Sequence, residues 1–85
     1  MVPAPIHTLI AAPDGETLLT TLEAYLEHGG DAAGTAAELF LHRSSLYKRL
    51  HRIERLAGVD LRSGNDRLQL HVGLILWRLS PGASV

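Results

Sequence analysis

Residue types suited to reading a polyanion converge on one short stretch, His42-Arg43-Ser44-Ser45-Leu46-Tyr47-Lys48-Arg49-Leu50. An Arg fork can take both acceptors of a guanine edge, hydroxyls and Lys can take bases or phosphates, and His or Tyr can donate to a nucleic-acid backbone. The stretch runs on into His51, Arg52 and Arg55, and residues 43–62 hold six cations against only Glu54 and Asp60, a local +4. All eight Lys and Arg residues lie after position 42, whereas the first 42 residues hold six of the nine acids. The net charge of −1 is uninformative, but a cationic element on an acidic body is the footprint of a phosphate-binding face.

The other reactive side chains do not assemble into a motif. His7, His28, His42, His51 and His71 form no i, i+4 pair, and zinc needs three or four converging ligands. Neither a metal nor a cofactor is expected. Cysteine is absent, which removes disulfide frameworks and thiolate sites. No Ser-His-acid set, glycine-rich phosphate loop or paired-carboxylate motif stands out, so no enzyme is expected. The longest apolar run, Val72 to Trp77, has six residues, far short of the ~20 of a membrane helix. The N-terminus has no cationic start of the kind a signal peptide carries. The expectation is a soluble cytoplasmic protein.

Eighty-five residues make one small domain. Residues 1–13 contain Pro3, Pro5 and Pro13 without helical period and read as a flexible leader or linker remnant. Residues 14–79 form the domain, and residues 80–85 read as a flexible tail. The fold class is all-α, a small four-helix domain. Its helices are expected near residues 15–28, 32–39, 43–57 and 65–79. Asp14, Asp31 and Ser63 sit where N-caps belong, and Gly29-Gly30 and Gly58 supply stops. Ser63 with Asp66 resembles a capping box, Asp replacing the usual Glu or Gln.

On the third helix, Leu46, Leu50, Ile53 and Ala57 share one narrow arc, while Ser44, Lys48, His51, Arg52 and Arg55 lie opposite. A turn of about three residues, Phe40-Leu41-His42, separates this helix from the second, whose Ala33, Gly34, Ala36 and Ala37 permit close crossing. Two short helices, a tight turn and small residues at the crossing describe a helix-turn-helix. Such a motif places the start of its second helix in the major groove. Phe40 stands where many of these turns have glycine. A solvated cationic helix in a small bundle would carry the same charge pattern.

Leu18 to Leu79 resembles the C-terminal helix-turn-helix domain of the PucR family of bacterial transcriptional regulators, which includes sugar-diacid regulators. The matching segments are LLTTLEAYLEHGGDAAGTAAELFLHRSSLYKRLHRIERLAGVDL and DRLQLHVGLILWRL. The family usually has HRNTLRYRL where this chain has HRSSLYKRL, and an aromatic at the turn is common there. The likeness covers about three quarters of the chain. It implies a DNA-binding domain at the end of a longer regulator, with its sensory region upstream. Ser44 and Ser45 stand where the family often has Asn and Thr, so its operator preference does not carry over. A looser likeness exists to Fis-type domains.

The function expected is sequence-specific binding of double-stranded DNA, with residues 43–57 as recognition helix. Arg43, Ser44, Ser45 and Lys48 are the base-contact candidates. His42, Tyr47, Arg49, Arg52, His51 and Arg55 are the phosphate candidates, with Arg52→Ala expected to weaken all sequences alike. The fourth helix is apolar nearly all round. Either it is a central core helix, or the part around Val72, Ile75 and Trp77 pairs with a second copy, as a homodimer, or with the upstream domain. The rival function is a protein-interaction module that docks through this helix.

Overall fold

The computed structural model describes residues 4–79, and among them every regular element is a helix. The order is α1 (Ala4–Ala11), α2 (Gly15–Glu27), α3 (Ala32–Leu39), α4 (Arg43–Ala57) and α5 (Gly64–Leu79). The last four follow the expected elements within a residue or two. The first does not, because residues 4–11 were expected within a flexible leader. The flexible tail expected at residues 80–85 lies outside the described residues.

The helix α1 exists because its burial is tertiary. Ile6 and Leu9 are fully buried in the core shared with Leu18, Leu22, Leu46, Ile53 and Leu74. Ile6, Leu9 and Ile10 stand at i, i+3 and i+4, but one turn of apolar spacing between Pro5 and Pro13 is too short to establish a helical period in sequence. Pro5 does not break the helix, since it stands in the first turn, where an N–H has no helical acceptor. Both α1 and α2 pack against α4 and against α5. The supposed leader thus helps to hold the last helix in place relative to the cationic one.

Local chemistry sets the boundaries. Asp31 caps α3, its carboxylate accepting from the N–H groups of Ala33 at 3.2 Å and Gly34 at 3.3 Å. Asp14 occupies the cap position of α2 without making a side-chain cap bond. Gly29 and Gly30, with φ of 64° and 86°, turn the chain after α2, and Gly58 at φ 68° ends α4. Phe40 ends α3 in the same left-handed region, φ 55° and ψ 40°. For a residue with a Cβ that conformation costs roughly 1–2 kcal/mol. It lets the N–H of Leu41 reach the Ala36 carbonyl at 2.9 Å, which closes the helix.

The connection from α4 to α5 is pinned from both sides. Glu54 on α4 accepts from the N–H of Leu61 at 2.8 Å, and Arg67 on α5 donates to the Leu61 carbonyl at 2.9 Å. Leu61 is buried, and Val59 packs against the core. Ser63 accepts from the N–H of Asp66 at 3.2 Å. The reciprocal half of the capping box is missing, because the Asp66 carboxylate accepts from Asp60 N–H at 2.8 Å instead.

Candidate nucleic-acid interface

Amphipathic phase decides which side of α4 is available. Leu46, Leu50 and Ile53 are buried beneath it, with Ala57 packed at the margin of the core. On the far side Ser44, Lys48, His51 and Arg55 are exposed in one line at positions i, i+4, i+7 and i+11. Arg43, Ser45 and Tyr47 are exposed beside that line. Across the turn, α3 contributes the buried Ala36 and Thr35, whose small volumes let the two helices approach. Leu39 is half-buried and outside the core cluster, while Leu41 packs against it.

His42 forms the N-cap of α4. Its Nδ1 accepts from the Ser44 N–H at 3.3 Å and lies 3.0 Å from Ser44 Oγ. Accepting through Nδ1 puts the ring proton on Nε2, where it can be offered outward. His42 and Ser44 therefore organise the first turn as a pair, on an exposed surface.

Besides His42, two arginines among the expected phosphate candidates already have protein partners. Arg49 is half-buried, and its Nη1 donates to Thr21 Oγ1 at 3.2 Å. Arg52 donates through Nε and Nη2 to the two carboxylate oxygens of Asp14, at 2.6 and 2.8 Å. Beside that guanidinium the Asp14 carboxyl is held below the usual carboxylate range, and the Arg52 pKa is raised in turn. Farther off, Arg78 pairs with Glu23 at 2.6 Å and lies 5.7 Å from the Trp77 ring centroid. Acids of the first half thus neutralise cations at the edges. Among the described residues, Arg43, Lys48 and Arg55 have no ion-pair or hydrogen-bond partner of their own.

An open groove runs beside this face, lined by Tyr25, Tyr47, Lys48, His51, Arg55 and Arg62 among others. Arg62, counted in the basic run but not singled out as a contact candidate, also lines this groove. It lies outside α4, its side chain is 89% exposed, and its Nε donates at 3.3 Å to Asp60 Oδ1, which also accepts from the Arg62 backbone N–H at 2.9 Å. Burial pushes the pKa of Tyr25 up and keeps its hydroxyl protonated. Among the described residues no cluster of His, Asp or Glu could hold a metal ion, and no helix is long and apolar enough to cross a membrane.

The fourth expected helix, α5, divides into two faces. Leu70, Gly73 and Leu74 are buried, and Trp77 packs against the core. Leu68, Val72, Ile75 and Leu79 are exposed as a stripe at i, i+4, i+7 and i+11, with Leu76 beside it. Of the three interface candidates, Val72 and Ile75 face outward and Trp77 faces inward.

A tight left-handed turn, small residues at the crossing and a second helix with its cations outward define a helix-turn-helix domain, the class of module that binds DNA. The chain belongs to the PucR C-terminal helix-turn-helix domain family, whose profile matches residues 18–76. It is 39% identical over 72 residues to the carbohydrate diacid regulator of Escherichia coli, covering 85% of this chain and 19% of that protein. It is 34% identical over 73 residues to the proline-responsive transcriptional activator PutR of Bacillus subtilis, covering 82% of this chain and 18% of that protein. With the purine catabolism regulatory protein of Bacillus subtilis it shares 33% identity over 66 residues, 78% of this chain and 12% of that protein. The chain thus spans less than a fifth of the length of these relatives. No solved structure matches it.

Proposed function

We propose that α4 is a recognition helix that enters the major groove of double-stranded DNA with its first two turns. Arg43, Ser44, Ser45 and Lys48 contact base edges. His42, Tyr47, His51 and Arg55 contact phosphates, joined by Arg62 from the connection. The observation that carries this reading is the outward line Ser44, Lys48, His51 and Arg55 above a buried Leu46, Leu50 and Ile53. Arg49 and Arg52 brace α4 against α2 and the α1–α2 turn. They are assigned to stability rather than to phosphate binding.

The domain acts in a transcriptional regulator whose sensory region lies outside these 85 residues, a reading supported by the small share it covers of its relatives. It works as a homodimer, with α5 as the joining surface. The stripe Leu68, Val72, Ile75 and Leu79 has the same 4-3-4 spacing read from either end. Antiparallel pairing of two copies sets Leu68 against Leu79 and Val72 against Ile75 about a two-fold axis. Such isologous contacts are the commonest basis of dimers, and two recognition helices then read two half-sites. The exposed apolar face of α5 serves the DNA-binding function on this account and is not a rival to it.

Selection of duplexes from a random pool, followed by salt titration, tests the reading. Recovery of a two-fold repeat with log K falling steeply with log salt, about 0.9 per phosphate neutralised, is the expected result. Failure to enrich any sequence, with binding indifferent to salt, would reject it.

A further inference from the structure

Phe40 has two properties that the packing of the domain does not call for. It is 95% exposed, so its ring adds nothing to the core. It also holds the left-handed backbone, φ 55°, where glycine would bear no Cβ penalty. A glycine would close α3 with less strain and take a large apolar surface out of water. Strain retained at an exposed side chain is a mark of what that side chain touches in the working complex.

We infer that Phe40 is an apolar DNA contact whose ring lies against the deoxyribose wall of the groove entered by α4. The inference rests on the groove reading and deepens it. Phe40 is three residues before Arg43, so their Cα atoms are at most about 11 Å apart. That is within the footprint of a single DNA-binding module, roughly 600–1,000 Å² of protein surface. The wall of a duplex presents sugar carbons between its phosphates, and thymine adds a methyl group in the groove. A phenyl ring complements those carbons as none of the neighbouring cations can. Phe40 is also separate from the α5 stripe, since α3 and α5 do not pack on one another.

The experiment compares the 85-residue parent chain with Phe40→Gly, Phe40→Asn and Phe40→Trp. Asn tolerates the left-handed region and keeps the comparison readable if glycine loosens the turn. Each is titrated with a selected duplex and a random duplex over a salt series, with thermal melts and sedimentation alongside. Phe40→Gly and Phe40→Asn should bind both duplexes about fivefold more weakly, the worth of burying roughly half a Phe side chain. The slope of log K against log salt should stay at the parent value, because no phosphate contact is lost. The melting temperature of Phe40→Gly should rise by about 2–4 °C, and Phe40→Trp should keep parent affinity. Parent-like binding by the Gly and Asn variants overturns the inference. So does unchanged binding with altered sedimentation, which would assign the ring to a protein contact. A parent chain without steep salt dependence defeats the groove reading itself. A steep parent slope with indifferent Phe40 variants defeats the Phe40 contact alone.

Discussion

Asp14 holds Arg52 by both oxygens, at 2.6 and 2.8 Å, across 38 residues of chain. The pair fastens the α1–α2 turn to the side of α4. It also takes a guanidinium out of the cationic set that the charge pattern alone would give to DNA. Arg52→Ala should therefore lower the melting temperature while leaving the salt slope of DNA binding at the parent value. Arg55→Ala should do the reverse and reduce that slope by about one phosphate. Equal loss of slope in both variants would return Arg52 to the phosphate-binding set.

The same pair has a pH signature with a definite sign. The hydrogen bond from Arg52 lowers the Asp14 pKa in the folded chain below the usual carboxylate range. A depressed carboxyl contributes its stability above the unfolded pKa and loses it as pH falls through the folded one. The difference in melting temperature between the parent and Asp14→Asn should be full near neutrality and shrink below about pH 4. A difference that stays constant into strong acid would show that the pair does not act through ionisation. High salt should reduce the effect, because both side chains are partly exposed.

Base contacts should separate from brace contacts by specificity. Arg43→Ala should cost about 1–3 kcal/mol on the selected duplex and relax preference at one base pair. Competition with single-base variants of that duplex measures it. If Arg43→Ala weakens all variants equally, Arg43 is a phosphate ligand.

The integration of α1 predicts large stability effects far from DNA. A Cβ at Gly15 would run into the Leu9 carbonyl oxygen and come within 2.9 Å of that of Ile10. Gly15→Ala should cost about 1–3 kcal/mol as an overpacked site. Ile6→Ala should cost about 2–5 kcal/mol through loss of a fully buried side chain. Urea denaturation of each variant decides. An Ile6→Ala chain as stable as the parent would mean that α1 is not part of the cooperative core.

Charge on the α5 stripe should act on assembly and leave the fold intact. Val72→Glu with Ile75→Glu places carboxylates on exposed positions, so helicity and melting of the monomer should change little. Sedimentation equilibrium should show the double variant monomeric where the parent associates. On a two-fold operator it should lose the second half-site, while affinity for a single half-site persists. A parent chain that is monomeric at all concentrations would rule out α5 as a self-association surface in this domain.

Much of this protein was legible in local order. The 100° phase of α4 separates Leu46, Leu50 and Ile53 from Lys48, His51 and Arg55 without any knowledge of neighbours. The α3 cap at Asp31 and the stop at Gly58 are likewise determined within a few residues. A periodic helix needs only its own spacing to declare its inner face. Tertiary structure decided what depends on distant partners. Arg49 and Arg52 sit at the margin of the polar arc, and only Thr21 and Asp14, 28 and 38 residues away, turn them inward. The helix α1 is too short to announce itself, since Ile6, Leu9 and Ile10 span little more than one turn, and its burial comes from α2, α4 and α5 together. Apolar residues surround α5, so its composition holds no phase, and the packing alone set Trp77 inside and Val72 and Ile75 outside. Sequence thus determined the outward cationic face of α4, and three-dimensional contact determined which of its cations are held by protein partners.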